Sequence, residues 1–302
     1  MKRILLGVAS IASMLATSAL AADLPVKAPP LPVAIYNWTG FYVGGNVGYS
    51  WGRSSSTESF NDATSGVLLS TSYNSFDMNG VIGGGQAGYN WQRDKWVFGL
   101  EADIQGSGQK GDGLFSCAGG ALTPRPAALN GVCTPGHRGD TAPFDVAAFP
   151  VAGDLYQKLD WFGTVRGRVG VTLTPTFLLY GTGGLAYGEV KTTDTISGVN
   201  ITGAQGTNGS TLTAVNAAYG NNSTRVGWTV GAGIEGVISG NWTAKLEYLY
   251  MDLGTVTGTF VTPLIAPSGA FVSTSYSSHI TDNILRVGVN YRFDNGPVVA
   301  KY

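Results

Sequence analysis

A period-two alternation of side chains is the feature that most constrains the fold of this chain. Between residues 41 and 51 the odd positions carry Phe, Val, Gly, Val, Tyr and Trp, whereas the even positions carry Tyr, Gly, Asn, Gly and Ser. Successive side chains of a strand point to opposite faces, so one face is apolar and the other is small or polar. No internal run reaches the ~20 apolar residues that a membrane-spanning helix needs. The pattern therefore predicts a strand with one apolar face.

Seven further segments show the same alternation. They are residues 79–91, 96–105, 158–173, 176–190, 225–238, 242–251 and 283–293. Each contains the ~9–11 residues that a tilted strand needs to cross a bilayer. Only the segment 176–190 is ambiguous, because Leu178 and Tyr180 lie opposite Phe177 and Leu179. A β-bulge is one explanation for that conflict.

The connections between these segments alternate in length. Tight links occur near 92–95, 174–175 and 239–241, and long links rich in Ser, Thr, Gly and Asn occupy 52–78, 106–157, 191–224 and 252–282. Bacterial outer-membrane barrels combine short periplasmic turns with long extracellular loops. We therefore predict an all-β fold, an eight-stranded antiparallel up-and-down transmembrane β-barrel in the bacterial outer membrane, with both termini in the periplasm.

The composition agrees with a barrel and excludes other classes. Only 12% of the residues are charged and 45 of 302 are Gly, against about 25% and 7% in soluble domains. A membrane protein without spanning helices must pair its backbone groups in a closed barrel. The aromatic content of 11% argues against disorder. The formal net charge of −1 argues against a nucleic-acid partner.

Four regions follow from the order of these features. Residues 1–21 are predicted as a signal peptide, because Lys2 and Arg3 precede an apolar stretch that ends in a small-residue cleavage site at Ala21. Residues 22–37 form a Pro-rich periplasmic leader, residues 38–293 the barrel, and residues 294–302 a C-terminal extension. Phe293 is the expected aromatic end of the last strand. Either Phe293 or Tyr302, the aromatic at the end of the extension, serves as the signal for barrel assembly, and we favour Phe293.

The tryptophans form an independent pattern, because all seven fall near the end of a predicted strand. Such placement predicts aromatic girdles at the two membrane interfaces. The girdle residues are Trp38, Trp51, Trp91, Trp96, Trp161, Trp228 and Trp242.

Charged side chains on the predicted inner faces form the most informative polar set. They are Glu101, Asp103, Arg166, Arg168, Glu235, Lys245, Glu247 and Arg286, with Arg292 close by. One interpretation is a structural salt-bridge network, and the other is a selectivity constriction or gate. An eight-stranded interior is just wide enough for side chains to fill, which favours the structural interpretation. Inward glycines leave volume unfilled and keep the pore alternative open; they are Gly44, Gly48, Gly84, Gly88 and Gly170.

Motifs for other chemistry are weak. Cys117 and Cys133 predict a disulfide within one loop of an exported protein. Two G-x-G-x-x-G stretches, 83–88 and 231–236, lie inside strand patterns instead of opening a helix, which argues against a nucleotide site. His137 and His279 lie in different long loops without triad or metal spacing. We predict no enzymatic activity, no cofactor and no metal.

Several segments together carry a family resemblance. They are residues 22–25 (ADLP), 37–45 (NWTGFYVGG), 83–91 (GGGQAGYNW), 161–169 (WFGTVRGRV), 179–187 (LYGTGGLAY) and 245–248 (KLEY). In this order they resemble the alphaproteobacterial outer-membrane immunogenic proteins, a porin-family group of OmpA-type barrels. The resemblance covers nearly the whole chain after residue 21 and is weakest in the long loops.

The resemblance implies a protein that supports envelope structure and surface interaction. Its implied partners are outer-membrane lipid, lipopolysaccharide and the barrel assembly machinery. Two alternatives stay open: a passive or gated diffusion channel for small solutes, and loop-mediated binding of a ligand or host surface, since haemin binding is suggested for some members. No catalytic residues carry over, and the oligomeric state is left open.

Overall fold

The computed structural model describes residues 36–62, 66, 68–117, 131–136, 151–202, 211–263 and 271–293. The expected signal peptide, most of the leader and the C-terminal extension lie outside these residues. The division of the chain into those regions therefore stays a prediction.

Nine strands occur in the described part of the chain. They are β1 (Gly40–Asp62), β2 (Leu68–Arg93), β3 (Trp96–Cys117), β4 (Gly131–Gly136), β5 (Val151–Thr174), β6 (Phe177–Thr202), β7 (Thr211–Ser239), β8 (Trp242–Pro263) and β9 (Phe271–Phe293). The eight long strands form a closed ring of antiparallel neighbours, completed by β9 against β1, and the short β4 fits between β2 and β3. The expectation of an eight-stranded up-and-down barrel is confirmed.

Three tight turns join the strands at one end of the barrel, which we call the turn end. They are formed by Asp94–Lys95, Pro175–Thr176 and Gly240–Asn241, close to the positions that the sequence predicts. Asp94 and Gly240 adopt positive φ angles of 55° and 52°, a conformation that Asn, Asp and Gly tolerate best. The opposite end, where the long connections lie, is the loop end.

The strands are much longer than the sequence predicts. The eight long strands contain 22 to 29 residues, so the segments expected as long loops continue largely as strand. On β1, Phe41 and Trp51 bound the apolar outer face. Ten residues span about 33 Å along a strand and about 25 Å along the barrel axis at a tilt of about 40°, the height of a membrane apolar band. The strands therefore continue past this band towards the loop end.

The faces of the strands are those expected from the alternation. Apolar residues such as Phe41, Leu100 and Val287 are exposed on the outside, with 64%, 57% and 53% of their surface accessible. In β6 the odd positions face outwards and the register with β7 is unbroken. The register shifts against β5 fall on the β5 side, at Leu159/Trp161 and Thr172/Thr174, so the bulge considered within the β6 segment is wrong. Leu178 and Tyr180 instead point into the barrel, where they are buried.

Pairing between β7 and β8 stops part of the way along the barrel. The last pair towards the loop end is Trp228 with Asp252. Immediately beyond it β8 bulges against β9, where Gly254 has a φ of 71° and donates its N–H to the Asp252 carboxylate at 2.7 Å. A bulge turns a strand edge away from its neighbour. Farther out, Tyr219 bridges the gap by donating to the Val261 carbonyl at 2.9 Å.

The interior has apolar layers on both sides of a charged layer. Near the turn end, Trp38, Val97, Leu178 and Tyr180 pack together. Towards the loop end a larger apolar core is formed by Phe76, Met78, Ile82, Leu155, Leu159, Phe162, Ala186, Val190, Leu249, Met251, Leu253, Val256, Tyr276, Ile280 and Ile284. This core was not predicted from the sequence, because seven of its 15 residues fall in segments expected as loops.

Candidate functional site

Glu101 is the centre of the buried charged layer. Its carboxylate lies 2.5 Å from Arg166 Nη2, 3.0 Å from Lys245 Nζ and 3.7 Å from Arg168 Nη1. Alternation along β3, β5 and β8 directs all four side chains inwards, and each is at most 3% exposed. Arg286 of β9 lies 3.6 Å away, so the carboxylate joins cations from three other strands.

Asp103, Glu247 and Arg286 complete one side of the layer. Arg286 Nη2 lies 2.9 Å from the Asp103 carboxylate and 2.6 Å from that of Glu247. Arg166 also reaches both acids, at 3.0 and 3.2 Å. Thr164 donates its hydroxyl to Asp103 at 2.8 Å. The two arginines thus bridge three carboxylates.

Glu235 and Lys245 are neighbours in the strand register, but their ion pairs are with other residues. They are direct neighbours on β7 and β8, as the strand parity predicts. Glu235 instead accepts from Arg168 at 2.8 Å, Thr243 at 2.6 Å and Asn290 at 2.8 Å, and Lys245 bonds to Glu101. In a narrow barrel, long side chains reach across the lumen as easily as along the wall.

Two tyrosines belong to the layer and were missed from sequence. Tyr42 donates to Glu101 at 2.8 Å and accepts from Arg168 at 3.1 Å. Tyr180 donates to Glu247 at 2.9 Å, and the Arg168 guanidinium lies 3.9 Å from the centre of its ring. The sequence signal that could have identified them is a bulky tyrosine on an inner strand face that is otherwise mostly small or polar.

The layer as a whole is electrically balanced. All eight side chains singled out from the sequence lie in it, four acids and four bases, and each is at most 5% exposed. Every one contacts an opposite charge within 4 Å. Buried charges are tolerated when they are paired and hydrogen-bonded. A ring with no net charge has no preference for anions or cations.

The inward glycines do not leave the open volume that their small size suggests in the sequence. The space above Gly88 is taken by the Tyr42 ring, and that above Gly170 by Leu178 and Tyr180. Gly44 faces Gln86 and Asn290, Gly48 faces Arg286, and Gly84 faces Gln105. These glycines make room for large neighbours, so the expectation that they leave volume unfilled is wrong.

Six of the seven tryptophans lie on the outer surface or at its edge. Trp51, Trp91, Trp96, Trp228 and Trp242 are exposed, and Trp161 is half-buried and donates to Glu189 at 2.9 Å. Trp38 is the exception, since only 1% of its surface is accessible. It precedes β1 and turns into the barrel, where its indole N–H donates to the Pro175 carbonyl at 3.2 Å. The assignment of Trp38 to a girdle is wrong.

The other residues singled out from the sequence are dispersed. Phe293 ends β9 and packs edge-on against Tyr291, with ring centres 5.3 Å apart. The backbone register sets Cys117 opposite Cys133, but their side chains lie outside the described ones, so the disulfide stays a prediction. His279 lies half-exposed on the outside of the barrel, 3.4 Å from Asp252, and His137 lies outside the described residues.

The described residues bring together no metal-binding cluster of three His, Cys, Asp or Glu side chains. The two G-x-G-x-x-G stretches lie inside β2 and β7. In the same part of the chain, no helix is long and apolar enough to cross a membrane.

Comparisons with known proteins identify relatives along the whole barrel. The family model described as the outer membrane protein beta-barrel domain matches residues 9–293. The chain is 38% identical over 303 residues to the 31 kDa outer-membrane immunogenic protein of Brucella melitensis, covering 97% of this chain and 100% of that one. It is 31% identical over 228 residues to the 22 kDa outer membrane protein of Rhizobium leguminosarum, covering 75% and 68%.

Among solved structures, the attachment invasion locus protein Ail of Yersinia pestis matches 82% of this chain and 99% of its own, at 12% identity and a TM-score of 0.29. A likeness at that TM-score supports no conclusion about the function of this chain.

Proposed function

The chain belongs to the outer membrane protein beta-barrel family and lies in the bacterial outer membrane, and from that premise we propose that it is a barrel with a closed lumen. Its role is then structural in the envelope and interfacial at the loop end. The observation that carries the proposal is the charged layer, in which four acids and four bases are buried and paired with one another.

Three features support closure of the lumen. Arg166 and Arg286 are 1% exposed in the middle of the barrel, so both guanidinium groups are closed off from water. Apolar residues pack on both sides of the layer. A passing ion would have to part charges that are already paired, and stripping one partner from a buried pair costs about 3–5 kcal/mol.

Conductance tests the proposal against the diffusion-channel alternative. Purified wild-type protein inserted into a planar bilayer is expected to give no conductance above background. The double variant Glu101→Ala, Arg166→Ala removes the centre of the layer and is expected to leak. The exposed Arg53→Ala change serves as its matched control and stays silent. Stepwise conductance of the wild type would overturn the closed lumen.

Surface interaction is supported by the length of the strands. They continue beyond the apolar band, where the outward positions carry polar residues such as Arg53, Ser55 and Asp77 beside the apolar Tyr73 and Val261. An extended barrel rim carries its connecting loops away from the lipid, and loops on a rigid scaffold are the usual place for recognition. We place this rim outside the cell, with both chain termini in the periplasm.

Labelling of intact cells tests this orientation. Thr257→Cys at the loop end and Lys95→Cys at the turn end, each in a background with Cys117 and Cys133 replaced by Ser, are treated with a membrane-impermeant maleimide. Thr257→Cys is expected to react and Lys95→Cys to stay unlabelled until the cells are lysed. The reverse result contradicts the orientation.

We also propose that the protein is not an enzyme. Among the described residues, the nearest approach to a catalytic set is His279, whose ring nitrogens lie 3.4 Å from Asp252 and 3.4 Å from the Thr255 hydroxyl. Both separations are long for hydrogen bonds, and the group is exposed on the outside of the barrel.

A further inference from the structure

Two buried carboxyl groups in the extended part of the barrel lack a partner among the described residues. Glu58 and Asp194 are each 1% exposed. Within the described part of the chain, neither oxygen of either carboxyl group has a hydrogen-bond partner. No Lys or Arg of the described residues makes an ion pair with them, whereas the four acids of the charged layer all contact cations. Glu58 and Asp194 therefore stand out among the buried acids.

The two acids project into the same part of the lumen from opposite walls. Glu58 lies on β1 and Asp194 on β6, four strands apart in a ring of eight. Burial raises the pKa of Glu58 to about 9, and the negative charge of Asp194 contributes to that rise. Burial also raises the pKa of Asp194 to about 7, with Asp154 contributing. The direction of the shift in the Glu58 pKa agrees with two acids that share this part of the lumen.

Hydroxyl groups beside Glu58 show the same lack of partners. Ser72 is the direct neighbour of Glu58 on β2, and Thr274 lies on β9 two residues from Tyr276, the other direct neighbour of Glu58. Both side chains are at most 1% exposed, and neither hydroxyl oxygen has a hydrogen-bond partner in the described ranges. These hydroxyls are an independent sign that a ligand bound through oxygen atoms belongs here.

A cation satisfies all these oxygens at once. Two buried carboxylates without a countercharge are costly, and hydroxyl oxygens have lone pairs to offer as well. Calcium takes six to eight oxygen ligands in flexible geometry, whereas magnesium demands a near-ideal octahedron and keeps several waters. The site draws on different strands without a compact cage, which favours the larger and less exacting ion.

We propose that Glu58 and Asp194, with the hydroxyls of Ser72 and Thr274, bind a divalent cation inside the loop end of the barrel, calcium in preference to magnesium. The ion ties β1, β2 and β9 on one wall to β6 on the other. The cross-link lies beyond the apolar band, where the lipid no longer supports the barrel. The stability of this extension then depends on the cation.

Thermal unfolding with and without calcium tests the site. Protein refolded in a non-ionic detergent, free of lipopolysaccharide and stripped with EDTA, is titrated with calcium chloride. The melting temperature of the wild type is expected to rise by a few degrees at saturation, because a ligand that binds only the folded state stabilises it. The Glu58→Gln, Asp194→Asn double variant is expected to lose this response.

Matched measurements keep the test decisive. Asp77→Asn removes an exposed acid of the same rim and is expected to keep the full response. If the double variant does not fold, equilibrium dialysis of the wild type against radioactive calcium is expected to give one ion per chain. An equal shift in wild type and double variant, or no bound calcium, would overturn the site. An equal response to magnesium would overturn the preference for calcium.

Discussion

Lys245 on β8 donates to Glu101 on β3 across the full width of the barrel. The two strands lie four apart in a ring of eight, yet the ammonium nitrogen is 3.0 Å from both carboxylate oxygens. One lysine side chain therefore spans the lumen. This contact ties opposite walls together and leaves Glu235, the neighbour of Lys245 in register, to pair with Arg168.

Removing Glu101 should destabilise the barrel strongly. Glu101→Ala strands Lys245, whose ion pair within the described residues is with Glu101, while Arg166 keeps Asp103 and Glu247. Breaking a buried pair costs about 3–5 kcal/mol. Urea unfolding in lipid vesicles measures the free energy. Asp77→Asn is the control, because its partner Arg53 lies 3.7 Å away at the exposed rim and exposed pairs contribute about 0–1 kcal/mol. Equal losses in the two variants would contradict the role of the layer.

The contact between Lys245 and Glu101 should give a coupling term in the free energy of unfolding. Lys245→Met, Glu101→Gln and the double variant form a thermodynamic cycle. Contacting residues in one network couple by about 0.5–3 kcal/mol, so the double variant should lose less stability than the two single changes added together. Strict additivity would mean that the two side chains act independently.

Trp38 should behave as a core residue. Trp38→Ala removes a side chain that is 1% exposed, and Trp→Ala in a core costs about 3–5 kcal/mol. Trp242→Ala, at an exposed girdle position, should cost less. In single-tryptophan variants, brominated lipid should quench Trp242 fluorescence but not that of Trp38. Quenching of Trp38 fluorescence by brominated lipid would contradict its burial and support a girdle position.

The stability of the cation-free protein should fall as the pH rises from about 5 to about 9. Burial raises the pKa of Glu58 to about 9 and that of Asp194 to about 7, so the folded state binds more protons than the unfolded state in this range. The titratable groups next to these acids are Asp154, whose charge acts on Asp194, and Tyr276, the register neighbour of Glu58. Glu58→Gln should flatten the upper part of the profile. The measurement is the melting temperature in EDTA, and an unchanged slope in the variant would refute the assignment.

The predicted disulfide between Cys117 and Cys133 should stabilise the loop that it closes. For the enclosed loop of about 15 residues, the chain-entropy model gives about 3 kcal/mol. Peptide mapping without reductant should recover the two cysteines in one linked peptide. Cys117→Ser and Cys133→Ser should each abolish the linked peptide. Recovery of free thiols from oxidised, purified protein would show that no bond forms.

The architecture of the barrel was predictable from the sequence, because strand alternation is local. The apolar face of residues 41–51, the turns at Asp94 and Gly240, and the inward direction of Glu101 all follow from a period of two and from turn chemistry. Identification of the eight lumen charges needed only the parity of positions along each strand.

How these side chains meet depends on the closed ring and could not be predicted from any one strand. Lys245 pairs across the lumen instead of with Glu235, Trp38 turns inwards, and the space above Gly88 is filled by Tyr42. The length of the strands is also a tertiary property, since Ser- and Thr-rich segments extend as strand only when neighbours pair with them and their inner faces are covered. Curvature and shear of the ring set these contacts, and neither quantity is encoded in any single segment.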